Sequence, residues 1–272
     1  MTSTTAPSGT TPDHAPLSND RPLPPESVEH FDRFGWVLAP ALFSPSEVTQ
    51  ISEWIDELAA RPEQSGRHWV YHQPSLTDPS RSLIQRIENF CPFHPGLDGI
   101  ARHSRLTRAS AQLLGEEVAL FKEKINFKEP GGAGFDLHQD QQAGWSRYAP
   151  LFVTAMICID PATIENGCLE VARGLDRPDR LIADEWRPVN DQESSAFTMQ
   201  PVPTEPGDAL FFDSYFPHAS KANRSPSRRR ILFMTYNALS FGDQRGAYHT
   251  DKYKSFPPDI DRAPGDEYRF RV

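Results

Sequence analysis

Cysteine is scarce in this chain, which contains three cysteines in 272 residues. Cys91, Cys158 and Cys168 form no Cys-x-x-Cys pair and show no spacing typical of a zinc site. The low count therefore excludes a disulfide-rich scaffold and a cysteine-based metal centre. We expect three ordinary reduced thiols and, as the simplest consequence, a cytoplasmic protein.

Long apolar runs and an excess of positive charge are also missing. No stretch of 18 apolar residues occurs, and the N-terminus lacks the basic and apolar pattern of a signal peptide. The formal net charge of −9 argues against a nucleic acid or an anionic membrane as the partner. A small anionic substrate is still compatible with this charge, because a local cationic pocket can lie in an acidic protein. We expect a small-molecule substrate, while the oligomeric state is left open.

The composition of the chain changes near residue 27. Residues 1–26 contain six prolines and eight serines or threonines, which predicts a disordered N-terminal tail. Residues 27–272 are predicted to form a single domain, and 17 phenylalanines and five tryptophans can supply its core. Aromatic residues occur among the charges of 241–272, a stretch that could close over a site, mediate self-association or pack as a surface tail.

Helix signals dominate the first half of the predicted domain. Ser44-Pro45-Ser46-Glu47 is typical of a helix start, with a capping serine and a glutamate three residues later. An apolar stripe follows at helical spacing, formed by Val48, Ile51, Trp54, Ile55 and Leu58. A second helix is predicted over 96–114, a short strand over 34–40 and a loop over 66–80.

Strand signals dominate from residue 118 onwards. Short runs rich in β-branched and aromatic residues cover 118–127, 152–159, 168–171, 209–212 and 230–237. No helices alternate with these runs, which favours antiparallel sheets in a sandwich or jelly roll. The sequence therefore predicts an α+β fold in which N-terminal helices pack on a β core.

The pattern His-x-Asp occurs three times, at His30/Asp32, His138/Asp140 and His249/Asp251. The first lies in a predicted helix, where residues i and i+2 point in different directions. The third lies in the polar C-terminal stretch with no histidine after it. Only the second follows a strand-like run and has a later histidine, His218, as a third ligand. Two imidazoles and one carboxylate suit Fe(II), although Mn, Co, Ni or Zn would also bind.

Cationic residues lie on two of the predicted strands. Alternation makes Arg229 face the same way as Ile231 and Phe233, so this guanidinium needs an anion such as a dicarboxylate. Lys122, Lys124 and Asn126 also share one face of a strand. This face is either an exposed polar surface or a contact surface for a co-substrate inside the barrel.

These residues together resemble the phytanoyl-CoA dioxygenase family of Fe(II)/2-oxoglutarate oxygenases. The resemblance extends from about residue 28 to 240 and includes the 11-residue spacing from His218 to Arg229. Its other motifs are Phe31-x-x-Phe34-Gly35-Trp36-Val37, His138-x-Asp140, Glu165-Asn166-Gly167-Cys168-Leu169 and Pro206-Gly207-Asp208-Ala209.

The resemblance implies a double-stranded β-helix core of the jelly-roll, cupin-like kind. It implies Fe(II), 2-oxoglutarate and O2 as cofactors, with His138, Asp140 and His218 as the metal ligands and catalytic centre. Arg229 and Ser220 would bind the distal carboxylate of 2-oxoglutarate. Further contacts with this co-substrate are expected from Asn126, Lys122 and Trp145.

The implied reaction is hydroxylation of an unactivated C–H bond in a small polar molecule, with release of succinate and CO2. The sequence is most similar to the branch that acts on small polar substrates, including aminoalkylphosphonates, while natural-product intermediates are also possible. Asp140 stands where halogenating relatives carry a small residue, which favours hydroxylation. The loop Ala172-Arg173-Gly174-Leu175-Asp176 departs from the family pattern and suggests a different substrate.

Two alternatives stay open at this point. The same cofactors could end in desaturation, epoxidation or cyclisation. A metal-binding β-barrel without oxygenase activity, such as a sensor or a cupin-like isomerase, would not need Arg229 to face the interior. Polar candidates for the mouth of the site are Asp136, Gln139, Gln141, Gln142 and Arg173.

Overall fold

The computed structural model describes residues 22–185 and 187–265. Its helices are α1 (Pro25–Phe34), α2 (Pro45–Ala60), α3 (Pro95–His103), α4 (Arg105–Leu114) and α5 (Arg245–Ser255). Its strands are β1 (Trp36–Ala39), β2 (Trp69–Pro74), β3 (Ser82–Glu88), β4 (Val118–Lys128), β5 (Phe135–His138), β6 (Phe152–Cys158), β7 (Leu169–Arg173), β8 (Thr198–Val202), β9 (Ala209–Asp213), β10 (His218–Ser220) and β11 (Arg229–Ala238). Short 3₁₀ turns cover Cys91–Phe93, Asp140–Ala143, Trp145–Arg147, Glu193–Ala196, Leu239–Phe241 and Asp259–Asp261.

Two antiparallel sheets form the core. The larger has seven strands in the order β1-β9-β6-β11-β4-β3-β2, and the smaller has four in the order β5-β10-β7-β8. Buried apolar side chains of both sheets meet between them, including Met156, Phe212, Ile231 and Phe233 from the larger sheet and Leu169 and Val171 from the smaller. The predicted α+β fold with a double-stranded β-helix core is therefore confirmed.

The helices cover the outer face of the larger sheet. At the start of α2, Ser44 accepts a hydrogen bond from the Glu47 amide, and the Glu47 side chain returns a bond to the Ser44 amide, as the capping signal predicts. Ile51 and Ile55 of α2 then join one core with Leu232, whose side chain faces away from the smaller sheet. No helix in the described part of the chain is both long enough and apolar enough to cross a membrane.

Three local predictions differ from the structure. The predicted helix 96–114 is two helices, because the chain bends at Ser104 and its hydroxyl accepts a bond from the Leu106 amide at the start of α4. The predicted loop 66–80 contains β2, which pairs with β3 at the edge of the larger sheet. A bulge between Tyr71 and His72 breaks the alternation that would otherwise mark β2. Strands β3 and β8 were not predicted.

Both ends of the described chain are more ordered than the sequence indicates. Leu23 is buried, and its amide and carbonyl both bond the Gln112 side chain, so order extends into the predicted tail. The remainder of that tail, residues 1–21, lies outside the described residues. Near the other end, α5 is more than a surface tail, because Tyr248 is buried against the Phe121 and Trp145 rings.

Candidate active site

His138 and His218 lie directly opposite each other on the neighbouring strands β5 and β10. Their ring centroids are 4.4 Å apart. Asp140 opens the 3₁₀ turn that follows β5, and one ligand atom from each of the three residues lies within 4.8 Å of the other two. The fold thus brings together the three residues that the sequence predicts as a metal triad.

Backbone carbonyls set the orientation of both imidazoles. His138 Nδ1 is 2.6 Å from the Asp136 carbonyl oxygen, and His218 Nδ1 is 3.0 Å from that of Phe216. Because a carbonyl oxygen can only accept, each Nδ1 carries the proton and donates it. Each Nε2 therefore presents a lone pair, which is the arrangement that metal-binding histidines require.

Burial and neighbouring charges set the protonation states of the triad. Burial, followed by the charge of His138, lowers the pKa of His218 to about 3. Burial would raise the pKa of Asp140, but the His138 ring, 3.7 Å from its Oδ1, and the charges of Lys124 and Lys122 hold it well below its usual range. A neutral imidazole and an ionised carboxylate are both ready to bind a divalent metal ion. The Thr154 hydroxyl, 3.4 Å from Asp140 Oδ2, supports the carboxylate.

Arg229 is the second predicted element of the site. Its side chain is buried on the same face of β11 as Ile231 and Phe233, as the alternation predicts. Arg230 points to the other face, where its guanidinium donates to Asp160 Oδ1 at 2.7 Å. The Arg229 side chain forms no hydrogen bond or ion pair with any described residue, and its Nε is buried without an acceptor. This guanidinium is thus available for an anion.

Lys128 is a further basic residue beside Arg229, and it was not predicted from the sequence. It is the cross-strand partner of Arg229, and its Nζ donates to Ser220 Oγ at 2.9 Å and to the carbonyls of Gly167 and Lys221. Burial, and then the charge of Arg229, lower the pKa of Lys128 to about 6. The alternation that pairs Lys124 with Asn126 on one face continues to residue 128, so the signal was present in the sequence.

The other predicted co-substrate contacts occupy different parts of the interior. Asn126 pairs with Ile231, one alternation step from Arg229, and its Oδ1 is buried without a partner. Lys122 lies further along β4, where its Nζ is 4.5 Å from the centre of the Trp145 ring. Ser220, Arg229 and Asn126 therefore lie towards one end of the interior, whereas Lys122 and Trp145 lie together towards the other.

Two of the polar residues predicted for the mouth of the site have a structural role. Gln139 donates to the carbonyls of Arg180 and Tyr215 and accepts from the Ile182 amide. Gln142 donates to the carbonyls of Asp184 and Arg187. These bonds attach the segment after β7 to the metal-ligand turn. Of the other candidates, Asp136 and Arg173 are exposed and Gln141 is buried.

The residues present fit iron(II) and 2-oxoglutarate. Two imidazoles and a carboxylate form one face of a metal site, which leaves the opposite positions open. The unpaired Arg229 guanidinium faces the same interior and matches the geometry of a carboxylate. The profile of the phytanoyl-CoA dioxygenase family matches residues 31–231.

The chain belongs to the phytanoyl-CoA dioxygenase family.

Similar proteins of known activity support this membership. The chain is 37% identical to 2-aminoethylphosphonate dioxygenase from uncultured bacterium HF130_AEPn_1, over 86% of this chain and 89% of that protein. It is 34% identical to methylphosphonate hydroxylase from Gimesia maris, over 91% of this chain and 93% of that protein. EctD from S. alaskensis, solved with 2-oxoglutarate and 5-hydroxyectoine, has the same fold, with a TM-score of 0.65, 23% identity and coverage of 84% and 80%.

The protein is accordingly an iron(II)- and 2-oxoglutarate-dependent dioxygenase. This membership decides against a metal-binding barrel without oxygenase activity. It also accounts for the inward Arg229, which such a barrel would not need.

Proposed function

We propose that this dioxygenase hydroxylates a small organophosphonate. Two relatives that each align with most of the chain are named for phosphonate substrates, 2-aminoethylphosphonate and methylphosphonate. The observation that carries the assignment of the site is the buried, unpaired Arg229 guanidinium, which faces the same interior as the metal triad on the opposite sheet. An active site with this excess of positive charge suits an anionic co-substrate and an anionic substrate.

The proposed roles of the residues follow from their positions. His138, Asp140 and His218 would hold iron(II). Arg229 would bind the distal carboxylate of 2-oxoglutarate, together with the Ser220 hydroxyl, which lies two residues after His218 on β10. Asn126 lies on the adjacent strand, where its buried amide could complete the contacts with the co-substrate. Trp145 remains a proposed contact near Asp140.

When bound, iron and 2-oxoglutarate supply the oxidising chemistry, in which O2 is consumed and succinate and CO2 are released. The protein contributes position and exclusion of water. Nδ1–H bonds to backbone carbonyls keep each Nε2 of His138 and His218 aimed at the metal site. Buried Met156 and Phe233 line the space between the sheets, which keeps water away from the reacting C–H bond.

We also propose the extent of the catalytic domain, the location of the protein and its partner. Residues 27–272 would act as one catalytic domain, a view supported by a core that extends from the helices into the larger sheet. The three cysteines are buried free thiols, which supports a cytoplasmic location. The substrate would be the only partner that the reaction needs.

Anaerobic titration of the purified protein with Fe(II) and 2-oxoglutarate tests the cofactor sites. We expect a weak visible charge-transfer band, which should disappear in His218→Ala because a metal ligand is lost. In Arg229→Met the band should need a much higher 2-oxoglutarate concentration, because the carboxylate loses its bidentate partner. A wild-type protein that binds the metal but develops no band would contradict the assignment.

Succinate release tests the proposed substrate class. Methylphosphonate and 2-aminoethylphosphonate should each be compared with ectoine and with no added substrate. Stimulation by at least one phosphonate is expected. Stimulation by ectoine alone would overturn the proposal while leaving the cofactor assignment intact.

A further inference from the structure

Two lysines on the inner face of β4 have no partner of opposite charge. Lys122 and Lys124 are two residues apart and therefore point to the same side of the strand. Neither ammonium group forms a hydrogen bond or an ion pair with any described residue. Lys122 is 8% exposed, so its side chain is largely removed from solvent. A buried ammonium without an acceptor is costly, which indicates that a ligand supplies one.

Both lysines face the interior that contains the metal triad. Lys122 is paired across the strands with Thr235, whose hydroxyl is 3.0 Å from that of Thr154, the residue that supports Asp140. Lys124 Nζ is 4.8 Å from the centre of the Phe233 ring, between the two sheets. A group held by these two lysines would therefore lie on the Asp140 side of the triad.

The acidic side chains near the two lysines are already paired. Glu88 receives a hydrogen bond from Lys252 Nζ at 2.5 Å, and Arg86 Nε lies 2.8 Å from its Oε1. Glu123 points to the other face of β4, where Arg245 binds it. Asp140 belongs to the metal triad. Burial, which comes first, and the charge of Lys122 lower the pKa of Lys124 to about 8, so it is still protonated at neutral pH.

The cofactors do not remove this excess of positive charge. Iron(II) and the 2-oxoglutarate dianion carry equal and opposite charges, so among the groups at the metal only the Asp140 carboxylate contributes a net negative charge. Arg229 and Lys128 form a separate pair of basic residues near Ser220, as described above. The two positive charges of Lys122 and Lys124 are therefore only partly offset after both cofactors have bound, and a second anion would offset the remainder.

We propose that Lys122 and Lys124 bind the phosphonate head group of the substrate and so select for phosphonates. This assignment rests on the proposed function and adds the residues that recognise the substrate. The Cα atoms of residues i and i+2 of a strand are about 6.6 Å apart, a span that a tetrahedral head group with three oxygens can bridge. The carbon bonded to phosphorus would then lie towards the iron.

Aromatic rings lie beside both ammonium groups, and those around Lys122 come from two different elements. Lys122 Nζ lies 4.5 Å from the Trp145 ring centre and 5.6 Å from the Tyr248 ring centre. These cation–π contacts restrain the lysine without using its hydrogen-bond donors. The three N–H groups remain free for phosphonate oxygens. The alternative, that Lys122 contacts 2-oxoglutarate as predicted from the sequence, makes a different experimental prediction.

Binding of methylphosphonate to the anaerobic Fe(II) and 2-oxoglutarate complex separates these alternatives. The enzyme would be titrated by calorimetry, and the 2-oxoglutarate affinity of each variant would be measured independently from the visible band. For Lys122→Met and Lys124→Met we expect the Kd for methylphosphonate to rise roughly 10- to 100-fold, because a charge-assisted bond is lost. The 2-oxoglutarate affinity should change less than about threefold. Lys122→Arg and Lys124→Arg should retain much of the affinity for methylphosphonate.

Lys254→Met is the matched control, because Lys254 is an exposed lysine on α5 and its loss should leave both affinities unchanged. The thermal midpoint of each variant verifies folding, and the arginine variants keep the test valid if a methionine variant does not fold.

Weakened 2-oxoglutarate binding with unchanged methylphosphonate binding would overturn the inference and assign the lysines to the co-substrate. Unchanged affinity for both ligands, or no methylphosphonate binding by the wild-type complex, would also overturn it. Failure of the proposed function would be seen separately, as a wild-type protein whose succinate release is not stimulated by either phosphonate.

Discussion

Arg229 and Lys128 are direct cross-strand partners on β11 and β4, and both are buried. Two basic side chains rarely occupy such positions unless an anion binds between or beside them. Lys128 has three hydrogen-bond acceptors in the protein, whereas the Arg229 side chain has none among the described residues. The Arg229 guanidinium is therefore unfavourably placed beside Lys128 when no anion is bound. The distal carboxylate of 2-oxoglutarate would stabilise it.

Replacing Arg229 should raise the stability of the protein without cofactors and weaken its binding of 2-oxoglutarate. In the absence of cofactors, Arg229→Met is expected to be more stable than the wild type by roughly 1–4 kcal/mol, because an unpaired buried charge is replaced by an apolar side chain. Addition of 2-oxoglutarate with Mn(II) should raise the thermal midpoint of the wild type much more than that of the variant. Denaturant unfolding with and without the ligands measures both effects. Equal stabilisation of the two proteins would contradict the role of Arg229.

Gly134 permits the close approach of the two ligand-bearing strands. A Cβ atom at this position would lie 2.3 Å from the Ser220 carbonyl oxygen, whereas a Cβ at Gly99 in α3 meets nothing within 4 Å. Gly134→Ala should therefore displace β10, lower stability by roughly 2 kcal/mol and weaken metal binding at least about tenfold. Gly99→Ala, the matched control, should be neutral or slightly stabilising. Metal titration measures the affinity of both variants. Unchanged metal affinity in Gly134→Ala would show that the site does not depend on the close approach at Gly134.

Gln139 lies between the two ligands His138 and Asp140 and bonds three backbone groups of distant segments. Gln139→Ala should lower the free energy of unfolding by roughly 1–3 kcal/mol, because buried backbone groups lose their partners. The segment near Arg180 should also become more susceptible to limited proteolysis. Gln192→Ala removes an exposed glutamine from the same connection and serves as the control. If both variants are cleaved at the same rate, Gln139 does not hold this segment.

His249 should make the protein sensitive to acid. Its Nδ1 lies 2.9 Å from the Arg245 carbonyl and donates to it, while Nε2 is buried without a partner, so a second proton would be unpaired. Burial is the main reason that its pKa is lowered from 6.5 to about 4. Between these values the unfolded chain binds a proton that the native protein does not, so stability falls as the pH drops from about 6.5 to 4.

The variant His249→Phe keeps a ring between Trp69 and Tyr248 and removes this titration. Relative to the variant, the wild type should lose roughly 2–3 kcal/mol over that pH range. Urea unfolding at several pH values measures the difference. His103→Phe, at an exposed site, should retain the wild-type pH dependence. Parallel pH profiles for the wild type and His249→Phe would show that His249 does not cause the effect.

The features that the sequence predicts correctly are those with a local cause. A capping serine and glutamate at Ser44 and Glu47 interact within one turn, and alternation along one strand sets the facing of Arg229. The position of β2 was missed because a bulge breaks its alternation, and strand β3 beside it was also not predicted. The break at Ser104 was missed because the apolar pattern continues across it.

The sequence was enough to predict His138, Asp140 and His218 as a metal triad, because strand alternation and ligand chemistry depend on short segments. Its motifs also resemble those of the family to which the chain belongs. Only the tertiary structure shows that Lys128 joins Ser220 beside Arg229, that Gln139 binds a distant loop, and that Lys122 and Lys124 lack partners. These properties depend on which strands become neighbours and on which charges the fold pairs. Such long-range pairings are set by the packing of the whole chain, so no single segment of the sequence contains them.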